Sequence, residues 1–305
     1  MRRSGGRERP MKKNNAKNMI RTAAFCLLFL VGLSLLFYPL ISSRWNKRRS
    51  DSLVRDYVSS VAAAPAEDYS GWFAAAERYN ASLEGKSVPD AFAAVSEAET
   101  ADYLSQLAFR SDGIMAYLRI PKIDVDLPIY HGTSADVLEK GVGHLIGSAL
   151  PVGGEGNHTV LSAHRGLPSA TLFTDLDRLS EGDHFYIHVL DRTLAYEVDQ
   201  ILTVEPTELD ALRREPGMDL VTLVTCTPYG VNSHRLLVRG HRVEYVEAVA
   251  DREAAEVVQS PHTRYGLWAA GGLLATLLFT LLLLFLRTLH RRARHERGRH
   301  LHDTK

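Results

Sequence analysis

A mainly β domain, either a closed barrel or a sandwich, is predicted for residues 111–248, and three observations predict it. Short β-rich runs at Met115–Ile120, Val125–Tyr130, Thr159–Ala163, His184–Leu190, Thr193–Val204, Leu220–Cys226 and Leu236–Val246 are separated by Gly, Pro or Asp. That spacing suits a small all-β architecture. Leu194, Tyr196 and Val198 alternate with Ala195, Glu197 and Asp199, the period of a half-buried strand. Finally, Thr222–Gly240 reads as two strands joined by a loop, with a Pro-Tyr-Gly turn between two apolar runs. Short helices at Ala135–Lys140, Ala170–Leu179 and Glu208–Arg214 fit between strands.

The flanks differ from this domain in charge and hydropathy. The 305 residues carry no formal net charge, yet residues 1–50 hold 12 Lys/Arg and one acidic residue. Residues 287–305 hold seven Lys/Arg and two acidic residues, which leaves 51–286 near −16. Nucleic acid is therefore a poor partner for the folded part. Ala23–Ile41 and Tyr265–Leu286 are uncharged runs of 19 and 22 residues. At about 1.5 Å per residue each is long enough to span a hydrocarbon core of roughly 30 Å. The basic tails 1–22 and 287–305 then read as cytoplasmic and the middle as exported. The first run is long for a cleaved signal peptide, and no small-residue cleavage site follows it directly, which favours an uncleaved anchor.

Between the first span and the β domain, residues 42–110 read as a helical preface. Leu53, Val54, Tyr57, Val58 and Val61 recur at helical spacing, as do Tyr69, Trp72, Phe73, Ala76, Tyr79 and Leu83. These aromatic stripes read as packing residues. Pro89 breaks the irregular segment 85–98, and Thr100–Phe109 suits one more short helix. After the domain, 249–264 is polar and reads as a linker to the second span.

Chemistry is sparse. There are two cysteines: Cys26 in the first apolar run and Cys226 at the end of a strand. A lone thiol in an exported domain forms no internal disulfide, so it is either a small buried hydrophobe or a working nucleophile. Thr159-Val-Leu-Ser-Ala-His164 places an imidazole at a strand end in the same way. If the two strands pair, His164 reaches Cys226 and favours its thiolate, and Arg235 offers donors to an oxyanion. His131 and His144 read as turn histidines, and His184 and His188 as neighbours on a solvent face. No His/Cys set has zinc spacing, so neither a metal nor another cofactor is expected.

Thr222-Leu-Val-Thr-Cys226 fits the T-L-x-T-C signature of sortases, the membrane-bound cysteine transpeptidases of Gram-positive bacteria. Ile120-Pro-Lys-Ile-Asp-Val-Asp-Leu-Pro-Ile-Tyr-His-Gly-Thr133, Gly141-Val-Gly-His-Leu145, Leu161-Ser-Ala-His-Arg-Gly-Leu-Pro168 and the run on to Gly240 resemble the class C, pilus-assembling group. The resemblance implies a closed eight-stranded β-barrel with His164, Cys226 and Arg235 as catalytic residues. It also implies cleavage of an LPxTG-like signal between Thr and Gly, a thioacyl enzyme, and transfer to a Lys amine of a second pilin. Class C enzymes carry a lid with an Asp-Pro-aromatic motif; here Asp90-Ala-Phe92 stands in that region, departing from the pattern at Ala91. Anchoring of single surface proteins to cell-wall precursor, or a non-catalytic membrane-tethered assembly module, are the alternative readings.

Overall fold

Eight strands hydrogen-bond in the order β1-β2-β3-β4-β7-β8-β6-β5 and close back onto β1, so the domain is a barrel and not a sandwich. The strands are β1 Ile114–Ile120, β2 Val125–His131, β3 Val142–His144, β4 Asn157–Ser162, β5 His184–Val189, β6 Arg192–Val204, β7 Asp219–Thr227 and β8 His234–Val243. The computed structural model describes residues 12–64, 69–85, 97–255, 268, 271–277 and 280. Two neighbour pairs, β2 with β3 and β4 with β7, run parallel; the others are antiparallel. Parallel neighbours require long crossovers, and the β4–β7 crossover carries β5 and β6 around the far side. Closure leaves no free sheet edge.

Strand alternation sorts the side chains. Leu118, Ile120, Ile129, Leu161, Ile187, Val221, Leu223 and Val238 belong to the main core. Val160, Leu237 and the partly buried Val224, one residue out of step, join Leu145 and Leu212 in a second cluster on the other face of β4, β7 and β8. Gly240 on β8 lets the Phe185 ring lie against its bare Cα; a Cβ there would come within 2.7 Å of a ring carbon.

Among the described residues, five helices brace the barrel. The expected first span and the helix after it form one continuous helix, α1 (Lys12–Ala63), which passes through Pro39. Its stretch Cys26–Ala63 contains a window of mean hydropathy 2.1 with none of it buried, long and apolar enough to cross a membrane. Its last turns dock. Tyr57 is buried, donates its hydroxyl to Met115 O at 3.2 Å and accepts the Leu190 N–H at 2.8 Å. Earlier on the same helix Ser42 Oγ donates to Pro168 O and Asn46 Nδ2 to Ser169 O, at 3.1 and 2.8 Å. Helix α2 (Ser70–Ser82) buries Phe73, Ala76 and Tyr79, so its aromatic stripe is core. Asn80 completes the docking, exchanging two hydrogen bonds with the backbone of Leu150. Helix α3 (Glu97–Ser105) follows, and a single turn of helix, α4 (Ala135–Leu138), precedes β3.

The polar segment expected as a linker begins with a further helix, α5 (Glu247–Ala255), packed on β5 and β6. Glu253 of α5 accepts from His184 Nδ1 at 2.8 Å and from the Tyr186 hydroxyl at 3.1 Å. His188 stacks on Tyr117 with ring centroids 4.3 Å apart. The pair expected on a solvent face is therefore half-buried. Most of the expected second span, 265–286, falls outside the described residues; 271–277 within it is helical.

Candidate active site

Cys226 and Arg235 face each other directly across the β7–β8 pair. Both belong to one hairpin, so a single local register fixes their approach. Directly opposed residues of antiparallel strands project to the same side. Here that is the side of Val224 and Leu237. The Cys226 thiol is free and partly accessible. The connecting loop contains a cis Thr227–Pro228 bond and Asn232 at φ +60°, with the Val231 and Asn232 N–H groups both bonded to Pro228 O at 3.0 Å. Arg235 Nη1 lies 3.3 Å from His234 O.

His164 reaches the same place from a strand distant in sequence. The parallel β4–β7 register runs from Asn157 opposite Asp219 to Ser162 opposite Val224. It continues past the strand end, with the Ala163 N–H donating to Val224 O at 3.2 Å and Thr225 Oγ1 to Ala163 O at 2.8 Å. Carried one rung further, that register brings His164 level with Cys226. By alternation His164 follows Val160 and Ser162, which puts its side chain on the Val224–Cys226 face. Beyond it, the Phe173 N–H donates to His164 O at 3.1 Å and the Gly166 N–H to Thr174 Oγ1 at 3.2 Å. Gly166, at φ +78°, lies under the Tyr229 ring, where a Cβ would come within 3.0 Å of a ring carbon. The β7–β8 loop thus rests on the turn after His164.

The two threonines of Thr222-Leu-Val-Thr-Cys226 have separate tasks. Thr225 ties β7 to the residue before His164. Thr222 donates to Nε2 of the buried His158 at 2.7 Å, while Nδ1–H of that ring donates to Arg213 O at 2.8 Å. Burial lowers the His158 pKa and keeps the ring neutral, as this donor–acceptor pattern requires.

A second polar cluster links α3 to the barrel. The buried Tyr103 hydroxyl donates to His144 Nδ1 and accepts from the Gly132 N–H, both at 2.9 Å. His144 Nε2–H in turn donates to Ala149 O at 2.8 Å. Desolvation pushes His144 down to about 4, and also lowers His131, whose ring sits edge-on to Tyr103. Neither is a turn histidine. His144 lies on β3, and its wholly buried ring is held neutral between Tyr103 and Ala149.

All three candidate catalytic residues therefore meet at one end of the barrel. Asp90 and Phe92 lie outside the described residues. Sequence reasoning passed over Arg165, whose Nη1 donates to Thr227 Oγ1 at 3.2 Å and which pairs with Asp177. Its signal was present in the motif quoted for His164, as the next residue.

Residues 118–243 match the model of the sortase domain. The structure resembles sortase C1 from Streptococcus agalactiae with a TM-score of 0.60 and 48% identity, over 64% of this chain and 100% of that one. It resembles sortase C of Streptococcus pneumoniae, whose structure was described in terms of catalysis and pilin substrate specificity, with a TM-score of 0.58 and 44% identity, over 64% and 97%. Sortase D of Bacillus subtilis is 34% identical over 129 residues, 41% of this chain, and the match spans 62% of that relative's length. With the Thr-Leu-Val-Thr-Cys strand end, the closed barrel and near-half identity over the whole of a solved class C domain, this chain belongs to the sortase family, within its class C group.

Proposed function

We propose that the protein is a membrane-anchored cysteine transpeptidase that joins pilin subunits through Lys isopeptide bonds. The observation that carries this is the meeting of Cys226, Arg235 and His164 on one face at one barrel end. The Cys226 thiolate attacks the Thr carbonyl carbon of an LPxTG-like signal, and donors from Arg235 stabilise the oxyanion. As the C–N bond to Gly breaks, His164 gives a proton to the leaving amine. A Lys amine of a second subunit then attacks the thioester and loses its proton to His164. The C–S bond breaks and the thiolate returns. No cofactor or metal enters the scheme.

In this reading α1 anchors the chain, residues 265–286 form a second span, and both basic tails are cytoplasmic. The acidic middle then lies outside the cell, where pilin precursors are. Asp90 and Phe92, which lie outside the described residues, are assigned the part of a lid over the cleft.

Incubation of the full chain with a sorting-signal peptide should trap a thioacyl adduct on Cys226, seen by mass spectrometry. Cys226→Ala should abolish both the adduct and the high-mass pilin ladder in cells lacking other sortases. A ladder that persists in those cells would overturn the proposal. A product carrying a peptidoglycan amine at the Thr, in place of a Lys side chain, would move it to anchoring of single proteins.

A further inference from the structure

The backbone ladder between β4 and β7 ends just before the rung that carries His164 and Cys226. The last backbone bond runs from Ala163 N–H to Val224 O. Side chains hold the strands together beyond that point. Thr225 Oγ1 donates to Ala163 O at 2.8 Å, one rung before the pair. Arg165 Nη1 donates to Thr227 Oγ1 at 3.2 Å, one rung after it. Two side-chain ties thus bracket the His164–Cys226 rung, and the second secures its open end. Pro228 follows Thr227 and has no N–H with which to continue a ladder.

Strand alternation puts Arg165 on the side opposite the reacting groups. Leu161, Ala163, Val221 and Leu223 belong to the main core, and Arg165 and Thr227 are in step with them. His164 and Cys226 are in step with Val160 and Val224, on the other side. Arg165 therefore supports the pair from behind. Its side chain is 9% exposed and is fixed at its other end by Asp177, which is 47% exposed. The Nε–H is buried and has no partner among the described residues. A buried guanidinium with an unmet donor is a poor choice for stability alone, since an unpaired buried polar group is costly. A planar fork that reaches two acceptors at once is what a cross-brace needs, and a Lys ammonium does not supply it.

We propose that Arg165 is a positioning residue: held by Asp177, it ties the end of β4 to Thr227 and so sets the separation of His164 from Cys226. This rests on the assignment of those two as the reacting pair. The brace governs geometry at the chemical step, not affinity for the peptide.

The test compares Thr227→Val with Thr227→Ser, and adds Arg165→Gln. All are made in the full chain in detergent, in a background of Asp90→Ala with Phe92→Ala so that access to the cleft does not limit the rate. For Thr227→Val, kcat for sorting-signal cleavage should fall about tenfold with KM within about twofold, and Thr227→Ser should recover it. Arg165→Gln should lower kcat by about 10- to 100-fold, and adding Thr227→Val to it should cost nothing further. The pH profile of Cys226 alkylation by iodoacetamide should shift in Thr227→Val and Arg165→Gln but not in Thr227→Ser. This readout needs no peptide and stands if Arg165→Gln folds poorly, because the Val/Ser pair decides alone. Equal kcat and equal alkylation profiles in Thr227→Val and Thr227→Ser would overturn the inference. A background chain that alkylates normally but cleaves no sorting-signal peptide would instead count against the proposed function, and the alkylation profiles would still decide on the brace.

Discussion

Removing one oxygen, by Tyr103→Phe, should loosen the attachment of α3 to the barrel without creating a cavity. The Tyr103 hydroxyl serves His144 Nδ1 and the Gly132 N–H, each at 2.9 Å. Phe fills the same ring volume but leaves both groups without a partner. An unsatisfied buried polar group costs about 1–3 kcal/mol, so the pair together should cost about 2–4 kcal/mol after relaxation. Against a domain stability of about 5–15 kcal/mol that is a large fraction. The loss should be felt first where α3 meets the barrel, because Tyr103 bonds α3 to β3 and to the turn after β2. Amide hydrogen exchange over 97–107 should accelerate by about 30-fold or more, since 1.4 kcal/mol corresponds to a factor of ten in an opening equilibrium. Thermal unfolding in detergent should shift downward as well. Exchange over 97–107 within about threefold of the parent, together with an unchanged melting temperature, would show that the network does not hold α3.

Acid should destabilise the fold between about pH 6.5 and pH 4. His144 and His188 are both pushed down to about 4 by burial, so the unfolded chain binds more protons in that window and stability falls as pH falls. Asp126, raised to about 6 by burial, opposes this in part, and unfolding midpoints measured across the window should show the net loss; a flat profile would contradict it. Gly240→Ala should destabilise by about 1–3 kcal/mol, because the Phe185 ring must leave its place against the bare Cα; an unchanged denaturation midpoint would show that the ring gives way freely. If Asp90 and Phe92 cover the cleft, Asp90→Ala with Phe92→Ala should speed labelling of Cys226 by a bulky thiol reagent, and equal rates would count against occlusion.

Local features of the chain could be read before folding, and non-local ones could not. Cys226 and Arg235 lie on one hairpin, so their approach follows from the turn between them. His164 was reachable because its strand ends as the Cys226 strand does, though which strands pair was not visible. Thr227 and Arg165 are 62 positions apart, and nothing local marks a bond that depends on parallel pairing. Strand β3 escaped because Val142–His144 is only three residues long and contains a Gly. The placement of His184 and His188 went astray for another reason. Alternation correctly put them on the outer face, but α5, folded from a polar segment, covers that face and supplies Glu253.

The continuous course of α1 fixes a height. Its apolar run ends near Ile41, and Ser42, Ser43 and Asn46 already touch Pro168, Thr171 and Ser169, a few residues beyond His164. Unbroken helix, and no slack tether, leads from that run to the docked Tyr57. Whatever plane holds residues 23–41 therefore also sets the elevation and heading of the cleft. Each residue inserted between Ile41 and Ser42, ahead of the first docked side chain, would turn the barrel by about 100° and lift it by about 1.5 Å. If the substrate is, as proposed, a peptide still tethered to that plane, it has to meet the cleft at one altitude, and the length of its own stem becomes part of what is selected.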